Sequence, residues 1–184
     1  MVLLLLVLAL QTTAVASSPR DVCDAKIPDA LKRATQKRFP DYELPDASDH
    51  PDWQVENNKA HGGGDGCLSV ALGDFDGDGQ GDAALLLRST KRTHSLLVVA
   101  LRAKKGWTIG RLTEWHRERS TLYLATASPG AYRETISFAY SQSDPGAVEV
   151  VASRLSGLVT GVTESTVIYY FWTTAGWVHV WASD

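Results

Sequence analysis

A short acidic stretch between two apolar segments constrains the fold of this chain more than any other feature. Four aspartates fall within nine residues there: Asp74, Asp76, Asp78 and Asp82. Carboxylates this close repel one another strongly unless a cation compensates their charge. Gly79 lies where a loop that curls around one centre must turn sharply, and glycine tolerates such turns without strain. The stretch therefore predicts a cation-binding loop that joins two strands.

The expected ligands are all oxygen atoms, supplied by Asp74, Asp76, Asp78, Asp82 and the backbone carbonyl of Gln80. Calcium prefers a shell of about six to eight oxygens, whereas magnesium demands tighter octahedral geometry and zinc favours His or Cys. We therefore expect bound Ca²⁺ in a structural role, and the alternative is an acidic turn without a metal. Leu85 stands where a helix-loop-helix calcium hand has its glutamate, so strands rather than helices should flank the loop.

Most of the chain after Cys67 has the composition of short strands separated by turns. The predicted strands are 68–72, 83–87, 94–102, 107–115, 121–127, 135–141, 148–153, 165–172 and 177–182. Short strands at intervals of about ten residues favour an antiparallel meander. We predict a mainly β (α+β) fold, an antiparallel β meander or sandwich with the calcium loop between two strands. No internal repeat is visible, so a multi-bladed propeller is not expected.

One N-terminal helix is predicted before this β region. Pro28 and Asp29 suit a first helical turn, because proline needs no N–H partner there and a carboxylate favours the positive end of the helix dipole. Apolar side chains at 30–39 fall near one stripe, as in a helix that packs on a core. An irregular connector is expected at 41–51 and a flexible loop at 61–66.

The first residues indicate export. Residues 2–10 form an almost unbroken aliphatic run, and 14–16 read Ala-Val-Ala, the small residues of a signal-peptidase site. We expect a signal peptide at 1–16, cleaved after Ala16, and a single calcium-binding β domain at 17–184 that is periplasmic or secreted. No Lys or Arg precedes the aliphatic run, which leaves the true start open. A lipid anchor at Cys23 is not expected, because charged residues precede it.

The two cysteines, Cys23 and Cys67, predict a disulfide. An even number of cysteines in an oxidising compartment usually forms bridges. The alternative is a reactive thiol pair, but the Cys-x-x-Cys spacing of such pairs is absent. A bridge between Cys23 and Cys67 would fix the N-terminal segment beside the acidic loop.

Charge and hydropathy narrow the range of partners. The formal net charge is −3 and the basic residues are scattered, so we expect no nucleic acid as partner. The largest basic group, Arg111, Arg117 and Arg119, is interleaved with glutamates, and we interpret it as a solvated surface. No later segment is long and apolar enough to span a bilayer, so an integral membrane protein is not expected.

No catalytic pattern is complete, and we do not expect an enzyme. The five histidines lack a metal-binding spacing, and the His-Gly-Gly-Gly run at 61–64 lacks the Gly-x-Ser-x-Gly turn of a lipase. Glu114 and Glu118 could act as a glycosidase pair, although a charged strand end explains them more simply. Trp177 and Trp181 share one strand face, which is either core or an exposed aromatic platform.

The segment Gly73-Asp74-Phe75-Asp76-Gly77-Asp78-Gly79, followed by Asp82-Ala83, resembles the calcium loop of FG-GAP-type repeats and of many small exported bacterial proteins. The order of features also resembles calcium-binding immunity proteins that protect bacteria from peptidoglycan-cutting effectors of a type IV secretion system. Those features are a helix ending in Phe39-Pro40, then Cys67-Leu68, the acidic loop, Tyr169-Tyr170-x-Trp172 and a terminal Trp181-Ala182-Ser183-Asp184. Such proteins are similar to periplasmic lysozyme inhibitors, which are β domains that insert a loop into the enzyme cleft. The resemblance implies a periplasmic inhibitor of a peptidoglycan hydrolase.

Two short motifs extend this resemblance. Ser128-Pro129-Gly130-Ala131-Tyr132 resembles a Ser-Gly-x-x-Tyr inhibitory loop with Pro129 inserted, and Tyr170-x-x-x-Thr174-x-Gly176 matches a Tyr-x-x-x-Thr-x-Gly pattern. The resemblance implies that Ser128 and Tyr132 offer hydroxyl groups to the catalytic carboxylates of the target. The alternative hypotheses are a calcium-stabilised module that binds a glycan or another protein, and a hydrolase.

Overall fold

The computed structural model describes residues 21–61, 64–135 and 144–182. The predicted signal peptide, residues 136–141 of one predicted strand and Gly62-Gly63 of the predicted loop lie outside the described residues. The helices are α1 (Val22–Lys26), α2 (Asp29–Arg38) and α3 (Asp52–His61), with short 3₁₀ turns at Ala47–Asp49 and Arg119–Thr121. The strands are β1 (Tyr42–Glu43), β2 (Val70–Gly73), β3 (Asp82–Ser89), β4 (Ser95–Ala103), β5 (Gly106–Trp115), β6 (Leu122–Ala127), β7 (Gly130–Arg133), β8 (Val150–Ser153), β9 (Gly157–Val162), β10 (Thr166–Thr173) and β11 (Gly176–Ala182).

These strands form two sheets and a ribbon, and the pairs between them are antiparallel. Sheet one has the order β1-β3-β4-β5, and β2 also pairs with β3. Sheet two has the order β11-β10-β9-β6. The β7–β8 pair forms a separate ribbon. The structure therefore confirms the predicted mainly β, antiparallel architecture.

Sheet one is covered on both faces. On one face, Leu85 and Val98 pack against Leu31 of α2. On the other face, Leu86 lies in a core shared with Ile168 of sheet two. Residues 83–87 of β3 are all buried as a result, which explains why their sequence is a continuous apolar run instead of an alternating one.

The ribbon covers the outer face of sheet two. Phe171 and Val180 are fully buried there, beside Val151 of the ribbon. The fold is thus a layered β sandwich, with α1 and α2 on the outside of sheet one and the ribbon on the outside of sheet two. The acidic loop joins the paired strands β2 and β3 of sheet one.

The predicted disulfide is confirmed. Cys23 of α1 is bonded to Cys67, with their Cα atoms 5.1 Å apart. Both cysteines are buried in the core between the helices and sheet one. The bridge therefore ties α1 to the segment that enters β2 and the acidic loop.

The structure contains more helix than the single one predicted. The helix expected at 30–39 is α2, but α1 and α3 were not predicted. Gln54 of α3 is buried, and its amide donates a hydrogen bond of 2.6 Å to Thr163 Oγ1. Because α3 is attached through a polar group, its sequence shows no apolar stripe.

Strands β1, β7 and β9 were also missed, β1 because an irregular connector was expected at 41–51. Glycine explains the omission of β9. A Cβ atom on Gly161 would lie only 1.8 Å from the carbonyl oxygen of Thr166 in β10. Only glycine fits this close backbone approach, yet glycine lowers the strand signal of a sequence. The interior glycine of β9 therefore concealed a strand at the centre of sheet two.

Arg119 is buried, so the interpretation of the Arg111, Arg117 and Arg119 group as a solvated surface is wrong for this residue. Its side chain is 1% exposed and forms an ion pair with Asp49. The guanidinium also donates to the carbonyl oxygens of Glu43 and Leu86, each at 3.2 Å. This buried cation joins the Ala47–Asp49 turn, β1 and β3.

Candidate functional site

The acidic loop holds three of its carboxylates together. One oxygen from each of Asp74, Asp76 and Asp78 lies within 4.8 Å of the others. The N–H groups of Gly77 and Gly79 donate to the two oxygens of Asp74 at 2.8 and 2.9 Å. These glycines have φ values of 80° and 81°, a region that glycine adopts without steric cost. The backbone therefore curls so that the carboxylates converge.

Asp82 and Gln80, the other predicted ligands, make different contacts. Asp82 is buried, and its carboxylate accepts hydrogen bonds from the N–H of Phe75 at 2.9 Å and of Arg102 at 2.7 Å. Burial raises the pKa of the Asp82 carboxyl, and these N–H donors oppose the rise. The Gln80 amide donates to Asp78 Oδ2 at 2.7 Å. Asp82 thus fastens the two ends of the loop to β4 and stands outside the three-carboxylate group.

Phe75 anchors the loop between the sheets. Its ring is fully buried and meets Trp177 of β11 edge-on, with ring centroids 6.3 Å apart. A Cβ atom on Gly73 would lie 2.7 Å from the Phe75 ring, and one on Gly77 would lie 2.9 Å from the side chain of Leu155. The ends of the loop therefore belong to sheet one, and the loop packs on Trp177 of sheet two and on Leu155 of the β8–β9 connection.

Both predicted binding motifs lie at the same end of the molecule as this loop. The strands of sheet two have a common end, which is formed by the end of β6, the start of β9, the end of β10 and the start of β11. The turns Ser128-Pro129 and Thr174-Ala175 lie at that end of the sheet. Thr126 of β6 donates to the carbonyl of Leu72 in β2 at 2.8 Å, which places the acidic loop there too. We call this end of the molecule, with its two turns and the acidic loop, the loop end.

The β6–β7 turn at the loop end is exposed and braced. Ser128, Gly130 and Ala131 are exposed. The Tyr132 hydroxyl donates to the carbonyl oxygen of Ser128 at 2.8 Å. The Tyr132 ring packs at 4.4 Å, between ring centroids, on Tyr169 of sheet two. Tyr132 therefore holds the turn in shape, while Ser128 stands on its surface.

Tyr170 and Thr174 do not share an exposed surface. Tyr170 is 5% exposed and lies in the core between the sheets. Burial raises the pKa of its hydroxyl, and a hydrogen bond with Thr113 opposes the rise. Thr174 is exposed in the β10–β11 turn, where the Thr173 hydroxyl donates to the carbonyl of Gly176 at 2.8 Å. Of the two predicted residues, the structure brings Thr174 to the surface of the loop end.

The aromatic side chains of the last hairpin pack on both faces of sheet two. Trp177 and Trp181 face the core between the sheets, whereas Val178 and Val180 face the ribbon. Trp177 and Trp181 also line a cleft of about 460 Å³ between β5 and β11. They are partly buried walls of this cleft, not a flat exposed platform.

The cleft contains a charged group beside its aromatic walls. Asp144 Oδ2 lies 2.7 Å from His179 Nε2 and accepts a hydrogen bond of 2.9 Å from Trp181 Nε1. The imidazole of His179 also stacks near the Tyr170 ring, with centroids 5.0 Å apart. This combination of apolar rings and a few polar groups is typical of small-ligand clefts.

Sequence reasoning missed a pair of histidines at the opposite end of sheet one. His94 precedes β4 and His116 follows β5, and the adjacent residues Ser95 and Trp115 pair across these strands. The predicted β4–β5 hairpin could have revealed this pair. Two strands joined by a short turn pair along their length, so the residues at their far ends lie side by side.

Comparisons with known protein families, with curated proteins and with solved structures found no match for this chain. Within the described ranges, none of the helices is long and apolar enough to cross a membrane. Evidence for function therefore comes from the acidic loop, the turns and the cleft.

Proposed function

We propose that this chain is an exported calcium-binding protein that inhibits a peptidoglycan hydrolase of the lysozyme type through its loop end. The observation that carries the proposal is the position of the β6–β7 turn beside the acidic loop. A calcium ion there would fix the surface from which the Ser128 turn projects. The Cys23–Cys67 disulfide supports an oxidising compartment such as the periplasm.

Calcium is the cation that the donor set favours. Asp74, Asp76 and Asp78 bring carboxylate oxygens together, and the backbone at Gln80 and water supply further oxygens in the proposed shell. Hard oxygen donors suit calcium or magnesium, and a flexible loop of this kind suits the larger ion because magnesium requires near-ideal octahedral geometry. The ion is structural, since Phe75 and Asp82 connect the loop to both sheets and to β4.

The Ser128 turn suits insertion into an enzyme cleft. It is exposed, it is short, and the Tyr132 hydroxyl braces it from behind. A pre-shaped turn loses less conformational entropy when it binds than a mobile loop does. The catalytic carboxylates of a lysozyme-type enzyme accept hydrogen bonds, which the Ser128 hydroxyl can donate. Tyr132 is a positioning residue in this account, because its own hydroxyl proton is directed at Ser128.

The cleft favours a second candidate, a glycan-binding module. Trp115, Trp177 and Trp181 line it together with Asp144 and Glu114. Aromatic rings stack on the apolar faces of sugars, and carboxylates accept hydrogen bonds from sugar hydroxyls. This candidate differs from the first in its site, since it uses the space between β5 and β11 and not the β6–β7 turn.

A peptidoglycan turbidity assay tests the inhibitor proposal. Purified protein in calcium is mixed with lysozymes of several classes and with a peptidoglycan-cutting secretion effector, and the clearing rate is followed. We expect one of these enzymes to be inhibited. Ser128→Glu should weaken inhibition about thirtyfold or more, because a negative charge opposite the catalytic carboxylates of the target costs about 2 kcal/mol or more.

One control variant and one further test variant complete this experiment. Glu164→Gly lies in the β9–β10 turn at the opposite end of sheet two and should inhibit normally, since it relieves a left-handed φ of 59°. Tyr132→Phe keeps the ring in place but removes the brace, and should weaken inhibition about fivefold, the equivalent of one hydrogen bond of about 1 kcal/mol. If no enzyme is inhibited and soluble peptidoglycan fragments bind with loss in Trp177→Ala, the glycan-binding candidate replaces the inhibitor.

A further inference from the structure

His94 and His116 present two ring nitrogens to each other. Nδ1 of His116 lies 2.9 Å from Nε2 of His94, and the two ring planes are inclined by 78°. The pairing of Ser95 with Trp115 fixes the backbones that carry them. His116 is exposed and His94 is partly exposed, so an ion from solution can reach both nitrogens.

Glu114 and Tyr42 orient His94 from the other side. Glu114 Oε1 lies 3.3 Å from Nδ1 of His94, and the Tyr42 hydroxyl donates to the same oxygen at 3.1 Å. A carboxylate at Nδ1 keeps the proton on that nitrogen and leaves Nε2 as a lone-pair donor. Carboxylate–histidine pairs of this kind commonly support the histidine ligands of metal ions.

We propose that His94 Nε2 and His116 Nδ1 bind a divalent transition metal ion of the zinc type, with Glu114 as the positioning residue. Zinc–nitrogen bonds of about 2.0–2.1 Å at a tetrahedral angle need donor nitrogens about 3.3 Å apart. The nitrogens need to separate by only a few tenths of an ångström from their 2.9 Å spacing. Imidazole donors suit zinc, copper and nickel and do not suit calcium.

Charged side chains of both signs surround the two histidines. Glu118 shares the wall of a neighbouring cavity of about 380 Å³ with His94, and Arg92 lies in the same wall. Arg111 Nη1 lies 3.7 Å from Glu114 Oε2. Two histidines supply the protein ligands in this arrangement, and water completes the shell. The site is separate from the acidic loop and does not depend on the proposed inhibitory function.

Zinc titration calorimetry on the calcium-saturated protein tests the proposal. Zinc chloride is the probe, and excess calcium keeps the acidic loop occupied. We expect one zinc ion per chain, with affinity reduced at least tenfold in each of His94→Ala and His116→Ala. Glu114→Gln should reduce the affinity about 10- to 100-fold, as the loss of a supporting carboxylate does at other metal sites.

Two controls identify where the zinc binds. Arg117→Ala removes an exposed neighbour of His116 and should leave zinc binding intact, as should Asp76→Ala in the acidic loop. Equal zinc affinity in His94→Ala, His116→Ala and the unaltered protein would overturn the proposal and leave the histidines as a hydrogen-bonded pair. Zinc binding that disappears in Asp76→Ala would overturn it as well, because the acidic loop would then be the site.

Discussion

Replacement of Asp49 by alanine is expected to destabilise the fold by about 3–5 kcal/mol, the usual cost of removing one partner of a buried ion pair. The guanidinium of Arg119 is 1% exposed and pairs with Asp49, which is 6% exposed. Without Asp49, the cation stays buried with only the carbonyl oxygens of Glu43 and Leu86 as hydrogen-bond acceptors. Urea-induced unfolding, followed by tryptophan fluorescence, measures the change in the free energy of unfolding.

An exposed ion pair provides the matched control. Lys91 and Asp41 are 2.6 Å apart and each is more than half exposed. Asp41→Ala should therefore cost only about 0–1 kcal/mol. The double variant Asp49→Leu with Arg119→Met should recover most of the stability lost in Asp49→Ala, because apolar side chains can replace a buried pair without leaving a charge. Equal costs for Asp49→Ala and Asp41→Ala would contradict the buried ion pair.

Loss of the Cys23–Cys67 bridge is the second change with a large expected effect. The bridge joins cysteines that are 44 positions apart in the sequence, and the chain-entropy relation gives about 4 kcal/mol for a loop of this size. For a domain of this length that corresponds to a fall in Tm of about 8–16 °C. The cause lies mainly in the unfolded chain, which gains freedom when the bridge is removed.

The double variant Cys23→Ala with Cys67→Ala measures this effect in a thermal unfolding experiment. Its control is the unaltered protein in a reducing agent, which keeps both sulfur atoms in the core and removes only the bond. Both samples should melt well below the oxidised protein and near each other. A reduced protein that melts at the same temperature as the oxidised one would contradict a stabilising role for the bridge.

The elements that the sequence predicted correctly are those with a strong local signal. The antiparallel strands around the acidic loop follow from apolar runs interrupted by turn residues, and the disulfide follows from Cys23 and Cys67 being the only cysteines. The acidic loop was recognisable because alternating aspartates converge in a curled loop. Each of these signals resides in a few neighbouring residues.

The features that the sequence did not reveal depend on distant contacts. α3 is held by Gln54 through Thr163, a partner 109 residues away, so its own sequence carries no apolar stripe. Arg119 lies among charged residues in sequence, and only the fold brings Asp49 to it. Tyr170 matches a motif with Thr174, yet the strand register turns Tyr170 into the core. All three outcomes depend on contacts between residues that are far apart in the sequence.

Thermal unfolding with and without calcium tests the central claim, that the acidic loop binds Ca²⁺ and that the ion stabilises the loop end. Calcium at ten times its dissociation constant should stabilise the fold by about 1.4 kcal/mol, a rise in Tm of about 3–6 °C. Asp76→Ala should abolish the rise, because Asp76 belongs to the three-carboxylate group. Among the described residues its side chain accepts one hydrogen bond, of 3.2 Å from Asp78 N, so the substitution removes little besides the proposed ligand. Asp65→Asn, which alters a carboxylate paired with Lys26 outside the loop, should retain it. A Tm that calcium does not change, or an equal rise in Asp76→Ala, would contradict the claim.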